Sequence, residues 1–174
     1  MRHHLWLAVP VVATIAFTLV FACAAPFAAF GAAAALTLSR RDALLVTVAL
    51  WLANQLTGFV ALGYPWTLNS VAWAPTLAVA AVLATLTAQW TVRRLAGSRE
   101  IVRALAAPGL AFTVYEVAIF LGSAALLGGL EMYAPSIVGQ VLATNVAALV
   151  GLCGLNWLGA RVGLRHRTEA PASA

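Results

Sequence analysis

The residues that could do chemistry in this chain are few, and they sit inside apolar runs. Glu116 stands near the middle of the stretch from Ala104 to Leu127, where no other residue is charged. Tyr115 precedes it. Asn54 and Gln55 adjoin one another in a second apolar run, and Gln140, Thr144 and Asn145 lie in a third, with Asn156 further along it. Polar side chains are costly in hydrocarbon and usually face a bundle interior or a cavity. Each therefore admits two readings: hydrogen-bonded glue between helices, or contact with a ligand or proton.

Glu116 makes the sharpest case. Gly109, Thr113, Glu116, Phe120 and Ser123 follow the three- and four-residue spacing of one helix face, which predicts that this small, partly polar face points inward. No arginine lies at comparable depth, so the carboxyl is expected to be protonated or hydrogen-bonded to an amide such as Asn54, Gln55 or Asn145. Asn54 and Gln55 diverge by about 100° around a helix, so at least one should bond between helices. Gly58, one turn further out, is expected to leave space beside them.

The stretch Asn54–Trp73 adds a Gly63-Tyr64-Pro65-Trp66 turn and ends on Asn69, Ser70 and Trp73. Buried amides, a rigid turn and clustered rings suggest one wall and the lid of a pocket. The loop carrying Glu131 and Tyr133 would meet it, and Gln140 would line a vestibule. The expected ligand contacts are thus Asn54, Gln55, Tyr64, Trp66, Asn69, Trp73, Tyr115, Glu116, Tyr133, Gln140 and Asn145.

Enzyme chemistry, a metal centre and a cofactor are not expected. There is no phosphate-binding glycine loop and no plausible Ser-His-Asp set, and His3, His4 and His166 all lie at the chain ends, away from that pocket. Cys23 and Cys153 match no zinc spacing and imply no disulfide framework.

The elements that must position these residues follow from composition. Of 174 residues, 63% are hydrophobic and 9% charged, against roughly 25% charged in soluble domains. Such a chain cannot cover its own surface with polar groups, so lipid is the expected solvent. Spans of about 20 apolar residues are placed at 5–25, 27–39, 43–62, 71–92, 104–127 and 136–160. The uncharged run from Leu5 to Leu38 would make a single helix of about 50 Å, too long for one crossing of a core about 30 Å thick. It is read as a hairpin turning near Pro26. The expected fold is an all-α integral membrane domain of six transmembrane helices over 1–163, with a disordered tail at 164–174. Arg2-His3-His4, an apolar run and Val20-Phe21-Ala22-Cys23 resemble a signal sequence with a loose lipobox, but a second apolar segment follows instead of a polar tether.

The ten basic residues are all arginines. With six spans they fall at the N-terminus, at 40–42, at 93–103 and in the C-terminal tail, which places them on one side. Arginine excess marks the cytoplasmic face, so both termini are expected in the cytoplasm of a cell whose inner membrane holds the protein. Short arginine clusters between apolar runs do not form the basic face of a nucleic-acid binder. Trp6, Trp90 and Trp157 fall at the inner ends of spans, and Tyr64, Trp66, Trp73 and Tyr133 at the outer ends, where amphipathic rings prefer to sit.

Six spans, cytoplasmic termini and an aromatic outer loop after the third span resemble the substrate-binding S component of energy-coupling-factor vitamin transporters. The Asn54-Gln55…Gly58-Phe59…Tyr64-Pro65-Trp66 run is similar to solitary cobalamin-type members. The resemblance implies a vitamin-like ligand near the outer face, against 64–73 and 130–133, and a coupling transmembrane subunit with ATPases as partners. The chain departs from the family in lacking its Ala-x-x-x-Ala coupling pattern on the first span, where Ala8 is followed by Val12 and Ala13 by Phe17. Loop 63–70 also offers no cysteine to a cobalt. An ion- or proton-coupled carrier centred on Glu116, and a non-transporting complex subunit or assembly factor, remain rival expectations.

Overall fold

The structure, a computed structural model, describes residues 25–128 and 130–161, without the side chains of 126–127, 131–132 and 155–161. It is all-helical, 86% helix with no strand among the described residues. The span expected over 5–25, the lipobox-like run, the terminal histidines and the tail lie outside the described residues.

Four helices are long and apolar enough to cross a membrane: Arg40–Ala61, Leu68–Arg94, Glu100–Ala125 and Pro135–Gly154. We label the α-helical elements α1 (Phe27–Thr37), α2 (Arg40–Leu56), α3 (Leu68–Arg94), α4 (Glu100–Gly122) and α5 (Pro135–Arg161). Each of α2 and α3 begins earlier than hydropathy predicts, for the same local reason. Ser39 Oγ accepts from Asp42 N at 3.2 Å and also bonds the Asp42 carboxylate at 2.8 Å. Thr67 Oγ1 accepts from Ser70 N at 3.2 Å. A hydroxyl that satisfies an orphan N–H of the first turn starts the helix at the cap, whatever the hydropathy. The charged loop expected over 93–103 therefore shrinks to 95–99, because Arg93 and Arg94 end α3 while Glu100 opens α4.

The second expected crossing is corrected. α1 has 11 residues, about 16 Å of helix, half of a hydrocarbon core. It is buried on nearly all sides, including Phe27, Ala28, Ala29, Phe30, Gly31 and Ala32. A helix hydrophobic all round belongs in a core. α1 packs against α2, α3, α4 and α5 alike, and α5 docks chiefly on it.

The spans run antiparallel. Gln89 Nε2 donates to Arg40 O at 3.3 Å, Thr47 and Thr85 share a hydroxyl bond of 2.8 Å, and Trp51 Nε1 donates to Ala74 O at 2.8 Å. These contacts pair the start of α2 with the end of α3 and the end of α2 with the start of α3. The most extensive packing is between α3 and α4. Ala80, Ala84 and Ala88 on α3 and Ala107 and Ala111 on α4 are all fully buried in one core cluster. Alanines every fourth residue let backbones approach closely without lipid-excluding bulk, which drives helix association in a bilayer. The turns joining α2 to α3 and α4 to α5 thus lie at one end, and the 95–99 turn lies at the other with Arg40 and Arg41.

Both helices leading into the non-arginine end finish alike. α2 runs into a π turn at Thr57–Ala61 and α4 into another at Ser123–Leu127. Gly63 (φ 66°) and Gly128 (φ 71°) then reverse the chain in the left-handed region where glycine carries no Cβ penalty. Each reversal is followed by a tyrosine packed on the last phenylalanine of its helix: Tyr64 on Phe59 and Tyr133 on Phe120.

Candidate functional site

The expected site residues separate into three groups at different depths. The first is the 54–73 stretch. Tyr64 lies edge-on to Phe59, with ring centroids 6.3 Å apart, and Trp66 stacks on the same ring at 4.6 Å. Tyr64 N bonds Gly58 O at 3.1 Å, which folds the phenol ring back over Gly58. A Cβ on Gly58 would sit 2.7 Å from that ring. The space expected beside Gly58 is therefore taken by Tyr64 itself, a correction with a simple cause: a six-residue backbone reversal brings the ring onto a residue without a side chain. Trp66 is 76% exposed, held at the surface on Phe59. Asn69 is exposed and Trp73 half-buried. Asn54 is buried on α2, and the half-buried Gln55 carries an Nε2 without a hydrogen-bond partner.

The second group surrounds Glu116. The inward face expected for α4 is rotated. Ala107, Ala111 and Tyr115 are buried, whereas of the expected face Gly109, Thr113 and Phe120 are exposed, Glu116 is half-buried and only Ser123 is buried. The alanine row wins the helix interface because it permits the closest approach to α3, and it carries Tyr115 with it to a tilted contact with Phe27, 6.2 Å between centroids. Glu116 makes no ion pair among the described residues. Its carbonyl accepts a long bond of 3.5 Å from Tyr133 Oη, and the Tyr133 ring meets Phe120 edge-on at 5.2 Å. Tyr133 lies outside the spans. Its phenol is pushed up to about 12, first by burial and then by the Glu116 carboxylate, while a hydrogen bond from Ser123 works in the opposite direction. Glu116, Ser123, Phe120 and Tyr133 thus form one cluster at the non-arginine end, which joins two of the expected contacts.

The third group lies deep in the bundle, where α1 begins. Pro26 adopts φ −79° and ψ 62°, and Phe27 N bonds Ala25 O at 2.8 Å, an inverse γ-turn. Ala29 N donates to Asn145 Oδ1 at 3.1 Å, and Asn145 Nδ2 donates to Val141 O at 3.0 Å. Orphan N–H groups at a helix start must find acceptors, and in an apolar core water does not supply them. Asn145 therefore acts as an N-cap borrowed from another helix, and both ends of its amide are engaged. Gln140, expected in a vestibule, is exposed.

Sequence reasoning missed the pair Thr47 and Thr85, Trp51, the α3–α4 alanine rows and the capping role of Asn145. The four-residue alanine spacing was a readable signal; the partners of Thr47 and Asn145 were not, since they lie 38 and 116 residues away. No group of three His, Cys, Asp or Glu among the described residues could hold a metal. Comparison of the chain with family models, with curated proteins and with solved structures gave no match.

Proposed function

We propose that the chain is a multi-pass membrane protein that binds a small molecule from the side opposite its arginines, as part of a transport system. The observation that carries this reading is Glu116: a carboxyl within a span, without an ion pair among the described residues, clustered with Ser123, Phe120 and Tyr133. An ionisable group in the hydrocarbon region is functional by default. Trp66, exposed and 4.6 Å from Phe59, gives the same end of the bundle an apolar ring surface for a ligand.

The finer reading keeps the arginine side in the cytoplasm of a cell whose inner membrane holds the protein, with both termini there. The described residues supply four crossings and the half-length α1; a count of six, and with it both termini on the arginine side, requires that the apolar run before Pro26 and α1 together add two passages. A vitamin-like ligand, with cobalamin as one case, follows from the energy-coupling-factor resemblance, as does a coupling subunit with ATPases. The test is equilibrium binding of vitamins, cobalamin included, to the purified full-length protein. Saturable binding that drops at least tenfold in both Glu116→Gln and Trp66→Ala supports the assignment. Binding unchanged in both variants removes the site.

A second reading, a complex subunit without transport activity, is favoured by Asn145 and by Thr47 with Thr85, polar residues wholly engaged in holding helices together. It expects no vitamin binding and a stable co-purifying protein. A proton-coupled carrier would instead show uptake that depends on pH and is abolished by Glu116→Gln.

A further inference from the structure

We propose that the arginine end carries a seat for an anionic phospholipid headgroup, formed where the end of α3 meets the first turn of α4. Arg93 and Arg94 close α3, and Arg99 and Arg103 flank the start of α4, across the short turn at 95–99. Arg40 and Arg41 open α2 at the same end. None of these guanidinium groups forms an ion pair among the described residues. Of the two acids nearby, Asp42 is engaged with Ser39 in its own helix cap, leaving Glu100.

Two features make this more than a solvated basic face. Arg40 and Arg41 sit at the start of α2, and Arg99 and Arg103 at the start of α4, the positive ends of the helix dipoles, where arginine is disfavoured and an anion is stabilised. Arg103 also holds a buried Nε–H with no hydrogen-bond acceptor. A buried donor without an acceptor is costly, and the planar guanidinium matches a phosphate oxygen. An anion placed among these arginines would be stabilised by the cations and by the helix start together.

The neighbouring surface selects a lipid over a soluble anion. Ile101 and Leu105, on the first turns of α4, are 60% and 67% exposed. Trp90 is 52% exposed, with the Arg94 guanidinium 5.6 Å from its ring. The surface passes from apolar to cationic within one or two helical turns, through an indole of the kind that settles at headgroup level. Acyl chains would lie along Ile101 and Leu105 while the phosphate meets the arginines. This inference rests on the membrane embedding and not on the transport reading; it stands even if no vitamin binds.

The test uses the full-length protein in neutral detergent, titrated with phosphatidylglycerol or phosphatidylcholine and read by native mass spectrometry. Phosphatidylglycerol should be retained preferentially, and less so as salt is raised. Arg103→Gln should weaken its retention about fivefold, the effect of one lost cation near a lipid surface, and Arg99→Gln should do the same. Arg99 is exposed, so its variant keeps the test decisive should Arg103→Gln fold poorly. Equal retention of the two lipids, or undiminished retention in Arg99→Gln, overturns the proposal. Displacement of the lipid by equimolar inorganic phosphate would show a free-anion site instead and overturn the lipid assignment. So would variants that lose an acidic partner protein yet hold the lipid as before.

Discussion

At the scale of single residues, neighbours decide what each polar side chain can do. Asn145 and Glu116 read alike in the sequence, as lone polar groups in apolar spans. The structure gives Asn145 two hydrogen bonds that engage both ends of its amide, and leaves Glu116 with its carbonyl engaged and its carboxyl beside Tyr133. Tyr133 is the residue through which this cluster can be read from outside. With its ordinary value at 10.0 and its folded value near 12, the neutral phenol is favoured by the fold. Its contribution to stability is complete below pH 10 and is lost as pH rises through about 12. A spectrophotometric titration should therefore show an ionisation near 12 that is absent in Tyr133→Phe. Glu116→Gln should lower that ionisation by removing the second cause of the shift. An unmoved titration would mean that the carboxylate and the phenol do not sense each other.

At the scale of elements, α1 is the part whose behaviour hydropathy alone misjudges. It is apolar enough to read as a span, yet it is a short core helix that ties α5 to the rest. Its fit depends on Gly31, where an added Cβ would collide with Thr85 Oγ1. Thr85 is fully buried and its Oγ1 is bonded to Thr47 and to Ala81 O, so moving it aside breaks those bonds in an apolar core. Gly31→Ala should destabilise the protein by about 1–3 kcal/mol through overpacking. Thr85→Ala should recover much of that loss in the double variant, despite breaking the hydroxyl pair. Detergent- or heat-induced unfolding of the four proteins measures the coupling. Strictly additive losses would show that Gly31 and Thr85 are not in contact.

At the scale of the whole molecule, the antiparallel spans gather Arg40, Arg41, Arg93, Arg94, Arg99 and Arg103 at one end, with the two glycine reversals and the Phe59–Tyr64–Trp66 stack at the other. This asymmetry predicts the orientation. In a background lacking the native cysteines, Asn69→Cys should react with a membrane-impermeant maleimide applied from outside the cell, and Ser98→Cys should react only after permeabilisation. Asn69 is exposed in the first turn of α3, and Ser98 is partly exposed in the 95–99 turn. The reverse pattern would invert the protein in its membrane and move the Glu116 cluster to the cytoplasmic end.

The sequence by itself determined the solvent, the helical class and the gathering of charge at one end. Those follow from hydropathy and charge summed along the chain, and no distant residue can alter such sums. Only the tertiary structure decided that α1 is a buried core helix about half as long as the hydrocarbon core is thick, that α4 turns its alanines and Tyr115 inward in place of the Glu116 face, and that Tyr64 fills the space over Gly58. Each of these depends on the size and hydrogen-bonding needs of residues brought together from elsewhere in the chain. A helix turns the face that packs closest to its neighbour, and an amide goes to the nearest unsatisfied N–H. Neither choice is written in the stretch that makes it.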